Sequence, residues 1–511
     1  MPRSALPKIC VALGFNDPAK LLDHARSEAV AGEPLLEFRL DFLACPERGP
    51  EVVRQFLAEF PDCSLLATCR RHQNHGRFNG SIEEQFRILS AAVDAGAQAV
   101  DVEIETMENG GPGARRFEGR ALLVLSYHNY EGTPALEPIV KRMLRHPAGA
   151  YKIVTTARKP TDNWRLLSIA RNYPKSPFIL LAMGETGFPT RVLSSLYGGV
   201  TTYATPASAS GTAAGQVAAR VLRQLYRLER LSKGARIYGV IADPVQHSIS
   251  PAVHNRALQA RRLDAVYLPW LVAPLQLKDF FALAGKLPIQ GFSVTIPHKQ
   301  RILRYLDAVD PLARRIGAVN TVWRKAGKWR GANTDVEGIL VPLKKRLRLR
   351  KDSRVLIAGN GGAARSAAFA LAETGSQLAI VGRNADRVRA LAKLCSAEPL
   401  SREQAEGRDF DVLINATPLG MWPHVEESFF PAQVPARLVF DMVYTPRETR
   451  LLRLAREQGA EVIPGLEMFL EQAAAQFEIF TGETAPRSAM MQAAEEALDS
   501  QQAALAARER A

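Results

Sequence analysis

Eight short apolar runs recur across the first part of this chain, with amphipathic stretches between most of them. The runs are Lys8–Phe15, Leu35–Asp41, Ser64–Arg70, Ala99–Ile104, Ala121–His128, Ala150–Ala157, Phe178–Glu185 and Val200–Thr205. A short run that is apolar throughout suits a strand buried on both faces, whereas Ile82–Ala95 and Leu136–Arg145 carry a helical period. Eight strand–helix units in about 225 residues is the arithmetic of a closed (β/α)8 barrel. Polar residues collect toward the run ends: Glu37, Arg39, Asp41, Arg70, Glu103, His128 and Lys152. Reactive side chains of such barrels sit at strand C-termini. A doubly wound sheet gathers its ligand at one crevice and would leave eight such ends unexplained.

The rest of the chain divides by pattern. A helical stretch over Ala213–Leu231 closes the barrel, residues 1–231, and Ser232–Arg236 reads as a linker. A second α/β unit covers 237–345 and is completed by 465–490. A third, 346–464, opens near Arg354 as strand, glycine loop and helix. Residues 491–511 are rich in Ala, Glu and Gln and read as a helical tail that frays.

Composition narrows the function classes. No apolar run approaches the ~18 residues that span a bilayer, so no membrane partner is expected. Met1–Pro7 leads straight into a strand-like run with no apolar leader segment. Cys10, Cys45, Cys63, Cys69 and Cys395 form no C-x-x-C pair, which reads as free thiols in a reducing cytoplasm and no metal site. The net charge is +14, but acids are interleaved with the bases, as in Lys344–Arg348 and its surroundings. That favours solvated helix faces over a nucleic-acid patch, and the positive field suits an anionic substrate and cofactor. Oligomeric state is not legible.

Two residues of the barrel carry the first chemistry. His128 ends an apolar run, where a neutral imidazole can carry protons near pH 7. Lys152 lies inside another, where desolvation makes an amine nucleophilic and fit for a Schiff base. Alone, the first also fits a structural histidine and the second a snorkelling lysine. Together with Glu37–Asp41, Thr68–Arg70, Asp101–Ile104, Arg191 and Gly215–Gln216, they resemble type I 3-dehydroquinate dehydratases over about residues 8–220.

That resemblance implies a mechanism. Lys152 forms an imine with the C3 ketone of 3-dehydroquinate, and His128 moves the C2 proton to the departing C1 hydroxyl. Arg191 pairs with the substrate carboxylate, Glu37, Arg39 and Arg70 hold ring hydroxyls and charge, and Thr212 and Gln216 close the pocket. Tyr203 stands where the family often has Phe. Asn74 replaces a glutamate that orients the histidine, which predicts a less elevated His128 pKa. Thr212-Ala213-Ala214-Gly215-Gln216 lacks the family's proline.

A second constellation follows. Ser248 and Ser250 precede a helix-like run and can cap it or grip a carboxylate. With Gly291–Lys299, Gly317–Thr321 and Gly331–Asp335 they resemble, in order, the substrate domain of shikimate dehydrogenases. The resemblance implies that Lys299 and Asp335 move the proton accompanying hydride transfer, and that Ser248 and Ser250 bind the carboxylate. Thr295, Asn320, Tyr444 and Gln472 bind ring hydroxyls, and Ser293 replaces an Asn of many bacterial members.

The cofactor loop reads from physics. Arg354–Gly359 is a buried strand, and Gly359-Asn360-Gly361-Gly362-Ala363-Ala364 follows as G-x-G-x-x-A leading into a helix. Such glycines let backbone approach a pyrophosphate at a helix N-terminus. The next strand ends in Arg383, with Asn384 and Arg387 nearby, where NAD enzymes carry an acid, so the 2′-phosphate of NADP is expected. Thr417 and Gly465 complete the implied cofactor site. The whole is α/β: an N-terminal (β/α)8 TIM barrel, an α/β substrate domain and a Rossmann-like NADP-binding domain. The implied activity takes 3-dehydroquinate through 3-dehydroshikimate to shikimate, with small molecules as the only partners. A quinate-directed NAD dehydrogenase and a sensor with a degraded barrel are the rivals; Arg383 opposes the first, and His128, Lys152, Lys299 and Asp335 the second.

Overall fold

A computed structural model describes residues 6–110, 116–208, 211–422 and 424–510. Residues 1–5, inspected above for a leader, and the last residue of the tail lie outside the described residues. The chain forms two compact units, Met1–Arg236 with Trp270–Pro288, and Ile237–Pro269 with Ile289–Ala511.

In the first unit eight parallel strands follow one another: β1 Ile9–Leu13, β2 Leu35–Arg39, β3 Ser64–Thr68, β4 Ala99–Glu103, β5 Leu122–His128, β6 Ala150–Thr156, β7 Phe178–Met183 and β8 Thr202–Ala204. Their order is β7-β6-β5-β4-β3-β2-β1-β8, and the single bridge Phe178–Gly199 brings the two edges together. Alternation along each strand decides what faces the barrel interior. Leu35, Ala99, Val124, Ala150 and Tyr203 belong to the buried interior cluster. Two and four residues on, the same faces carry Glu37 and Arg39, Asp101 and Glu103, Ser126 and His128, and Lys152. Thus in β2, β4 and β5 the apolar N-terminal half fills the floor and the polar C-terminal half lines the mouth, whereas β7 stays apolar through Ile179, Leu181 and Met183.

The stretch 213–231 is not the continuous helix its composition suggests. Residues 211–217 form a loop, followed by a short π-helix at Val221–Leu225 and a 3-10 turn at Leu228–Arg230. Gly215 takes φ +78°, and a Cβ there would meet the Gly184 carbonyl oxygen at 2.8 Å, so this glycine ends any helix and seats the loop.

The second unit carries two six-stranded sheets. In one, β9 Arg236–Ala242, β10 Ala265–Leu271, β11 Ile289–Val294, β12 Ala308–Val309, β13 Thr321–Lys325 and β14 Lys328–Ala332 run in the order β10-β9-β11-β13-β14-β12, with β11–β13 and β13–β14 antiparallel. In the other, β15 Arg354–Ala358, β16 Gln377–Val381, β17 Glu398–Leu400, β18 Phe410–Asn415, β19 Ala436–Asp441 and β20 Glu461–Ile463 are parallel in the order β17-β16-β15-β18-β19-β20. This is the doubly wound order, whose reversal between β15 and β18 opens a ligand crevice. The C-terminal helix spans Arg487–Arg510. It is not a free fraying end at its start, because Met490, Ala493, Ala494 and Leu498 are buried at helical spacing.

Candidate active sites

At the barrel mouth Lys152, 4% exposed, donates to Asp101 Oδ2 at 3.0 Å and Glu37 Oε1 at 3.5 Å. Its Nζ also sits 3.9 Å from the centre of the Tyr203 ring, within cation–π range. Asp101 Oδ1 accepts from Ser126 Oγ at 2.6 Å and from Arg70 Nη2 at 3.1 Å. Burial pushes the Asp101 carboxyl up, but the Lys152 and Arg70 cations outweigh it and hold the group below the usual carboxylate range. Arg39 is gripped by both oxygens of Asp41, at 2.9 and 2.8 Å.

His128 pairs no acid through Nδ1, which is buried without a hydrogen-bond partner. Burial first, then Arg70 and Lys152, drives its pKa well below the ordinary histidine value. The expectation of a merely less elevated pKa is therefore revised downward. Asn74 turns away to donate to Glu105 Oε2 at 2.9 Å, so it does not replace the orienting carboxylate.

Arg191 is 1% exposed and donates to the carbonyl oxygens of Tyr203 and Ala214, both at 3.2 Å, while its Nε has no partner. Burial alone pulls its pKa down to about 10. A buried guanidinium bonded to neutral carbonyls is poised for an anion. The Ala214 bond also ties Arg191 to the loop 211–217. Within that loop Gln216 Oε1 accepts from Thr212 N at 2.9 Å and Ala213 N at 3.2 Å, so the glutamine braces the loop's own turn.

In the second unit Lys299 Nζ donates to Asp335 Oδ2 at 2.6 Å, and Asn320 Nδ2 donates to Asp335 Oδ1 at 2.7 Å. Ser250 N donates to Ser248 Oγ at 3.3 Å at the start of the helix Ser250–Ala260. Thr295 follows β11, Tyr444 follows β19 with its ring 5.3 Å from that of Phe469, and Gln472 lies on the helix Gly465–Thr481.

The dinucleotide loop fits its group. Gly359 takes φ +127°, and a Cβ there would meet the Ala416 carbonyl oxygen at 2.8 Å, across the crevice between β15 and β18. Gly361 and Gly362 face open space, and the helix Gly362–Ala372, with Ala363 in its first turn, has no side-chain cap, leaving N–H donors for a pyrophosphate. Arg383 and Arg387 are exposed, and Asn384 Oδ1 accepts from Arg387 N at 3.0 Å. Thr417 donates through N and Oγ1 to Asn415 Oδ1, and Gly465 lies where a Cβ would meet the Val443 carbonyl oxygen at 2.5 Å.

Comparison with known proteins agrees with this division. The Type I 3-dehydroquinase family model matches residues 9–233. Those for the shikimate dehydrogenase substrate binding domain, shikimate / quinate 5-dehydrogenase and the shikimate 5′-dehydrogenase C-terminal domain match 240–322, 343–448 and 465–495. The chain is 35% identical over 506 residues to the chloroplastic bifunctional 3-dehydroquinate dehydratase/shikimate dehydrogenase of Arabidopsis thaliana, covering 94% of this chain and 83% of that one. The chain belongs to the bifunctional 3-dehydroquinate dehydratase/shikimate dehydrogenase family. It is also 41% identical over 276 residues, 50% of this chain and 96% of the other, to the shikimate dehydrogenase (NADP(+)) of Microcystis aeruginosa. A solved shikimate dehydrogenase in complex with NADP+ superposes with a TM-score of 0.50 at 35% identity, covering 52% of this chain and 97% of that one.

For this bifunctional dehydratase/dehydrogenase, Asp101 and Gln476 were missing from the sequence-derived site. Asp101 had a readable signal, an acid two residues before Glu103 on one face of an apolar strand. Gln476 had none, because its partners lie 155 and more residues away.

Proposed function

We propose that this chain dehydrates 3-dehydroquinate to 3-dehydroshikimate at the barrel mouth and reduces that product to shikimate with NADPH in the second unit. The observation that carries the reading is Lys152, a buried lysine bonded to Asp101 and flanked by His128 one strand away. The Lys152 amine adds to the C3 ketone and water leaves, giving an iminium. Neutral His128 takes the C2 proton, and the electron pair moves to the iminium nitrogen. The pair then returns to expel the C1 hydroxyl, which leaves as water with the proton His128 gives back. Hydrolysis frees the product and restores Lys152. Arg191 holds the substrate carboxylate and Glu37, Arg39 and Arg70 the ring's polar groups; Thr212 and Gln216 shut the mouth.

In the second reaction Lys299 protonates the oxygen of the ring carbonyl, and Asp335, held by Asn320, keeps Lys299 in place. Ser248 and Ser250 receive the carboxylate, and Thr295, Tyr444 and Gln472 the ring hydroxyls. NADPH, when bound, supplies the hydride. Gly359, Gly361, Gly362, Ala363, Thr417 and Gly465 would hold it, with Arg383, Asn384 and Arg387 at the 2′-phosphate. A cytoplasmic location is supported by five free cysteines. Among the described residues no helix is long and apolar enough to cross a membrane.

Two separate assays test this: appearance of the conjugated enone from 3-dehydroquinate, and NADP reduction by shikimate. Both activities are expected, and absence of either refutes its half of the reading.

A further inference from the structure

Asn320 presents its amide nitrogen to Asp335, and something must keep that amide from rotating end for end. Its Oδ1 accepts from Thr321 Oγ1 at 2.7 Å and Thr334 N at 2.8 Å. A hydroxyl can reverse its direction, so the Thr321 bond is informative only if its own acceptor side is fixed. Gln476 fixes it. This residue is 1% exposed on the helix Gly465–Thr481, and its Nε2 donates to Thr321 Oγ1 at 3.1 Å and to the Asn320 carbonyl oxygen at 3.0 Å.

The orientation of Gln476 is set in turn from the other side. Its Oε1 accepts from Ser293 Oγ at 2.6 Å, and Ser293 Oγ accepts from Tyr267 OH at 2.6 Å. Every member of the run is buried: Tyr267, Ser293, Gln476, Thr321, Asn320 and Asp335. The bonds run one way from the phenol through the serine to the glutamine oxygen, and from the glutamine nitrogen to the Thr321 hydroxyl, which reaches Asn320 Oδ1 at 2.7 Å and Thr334 Oγ1 at 3.0 Å. In a dry interior such a run has one satisfied polarity, and reversing one link leaves buried groups unmade. Gln, with an acceptor at one end and donors at the other, is what the polarity requires at its centre. Ser293, in place of the Asn noted above, supplies the hydroxyl that the glutamine oxygen accepts.

We propose that Gln476 is a positioning residue for the dehydrogenase: bonded to the Asn320 carbonyl oxygen and to Thr321 Oγ1, it acts beside the Thr334 N–H to hold Asn320 as a donor to Asp335, and so holds the Lys299–Asp335 pair. The inference rests on the reading of that pair as the proton-transfer dyad. Gln476→Glu keeps shape and acceptor but removes the donors. Thr321→Val breaks the same relay one link later.

The test uses the full chain, with thermal unfolding and dehydratase activity as controls for intact protein. Expected for Gln476→Glu is a fall in kcat for shikimate oxidation of about ten- to hundredfold, with KM for NADP unchanged. Combined with Thr321→Val, the loss should not exceed the larger single loss, since both cut one relay. Either a Gln476→Glu kcat within threefold of wild type, or losses that multiply, would overturn the proposal. If wild type itself fails to oxidise shikimate, it is the dyad reading that falls.

Discussion

Lys152 and Asp101 lie on strands β6 and β4, 3.0 Å apart at the barrel mouth, and Arg70 approaches the same carboxylate from β3's C-terminal end. One anion thus faces two buried cations. Removing its charge by Asp101→Asn leaves Lys152 only the 3.5 Å contact with Glu37 and Arg70 only the 3.8 Å contact with Glu103, so the expected cost is about 3 kcal/mol of unfolding free energy at pH 7. The folded pKa of Asp101 is depressed, so its contribution is present above the unfolded carboxylate value, near 3.9, and is lost as pH falls through the folded value. Chemical denaturation at pH 7 measures this, and an unchanged midpoint contradicts it.

His128 should act as a base well into the acid range. Its pKa is lowered by burial, with Arg70, Lys152 and Arg39 adding and Asp101 opposing. The neutral, proton-accepting form therefore persists below the ordinary value near 6.5. The acid limb of the dehydratase kcat/KM profile, which reports the free enzyme, should lie below pH 6.5. An acid limb at or above 6.5 in the measured profile would place His128 in a different environment.

Arg191 is held by two carbonyl oxygens, and burial alone lowers its pKa to about 10, a shift that an entering anion would oppose. Arg191→Lys loses the two-pronged geometry and should lower dehydratase kcat/KM by about a hundredfold, with dehydrogenase activity unaltered. Steady-state kinetics on both substrates decides, since a loss of both activities would instead indicate global damage.

Arg383 is exposed beyond β16, where the proposed NADP site places the 2′-phosphate. Arg383→Ala should raise KM for NADP about ten- to hundredfold, the worth of a charge-assisted hydrogen bond, and leave KM for NAD nearly constant. Equal losses for both nucleotides would remove Arg383 from the phosphate site.

The barrel was legible because parallel strands buried on both faces read as unbroken apolar runs, and their polar ends stand out against them. Gly359 was legible because the loop's demand on backbone is local. Residues 213–231 misled because Ala-rich composition reports helix propensity, while Gly215 and the bonds from Arg191 and Gly184 to Ala214 set the real path. The C-terminal helix was legible, but its packed start was not, because only Met490, Ala493, Ala494 and Leu498 mark the buried face among polar residues. Gln476, one turn after Gln472 on the same helix, was not read from the sequence, though it is bonded to Asn320, Thr321 and Ser293. Contacts between distant strands leave no local mark.

The most direct test of the two-step account follows NADPH absorbance after 3-dehydroquinate is added to the full chain, with Lys152→Ala alongside. The account predicts NADPH consumption by wild type, none by Lys152→Ala, and recovery of that variant when 3-dehydroshikimate is supplied. Consumption by Lys152→Ala from 3-dehydroquinate, or none by wild type from either compound, would contradict it.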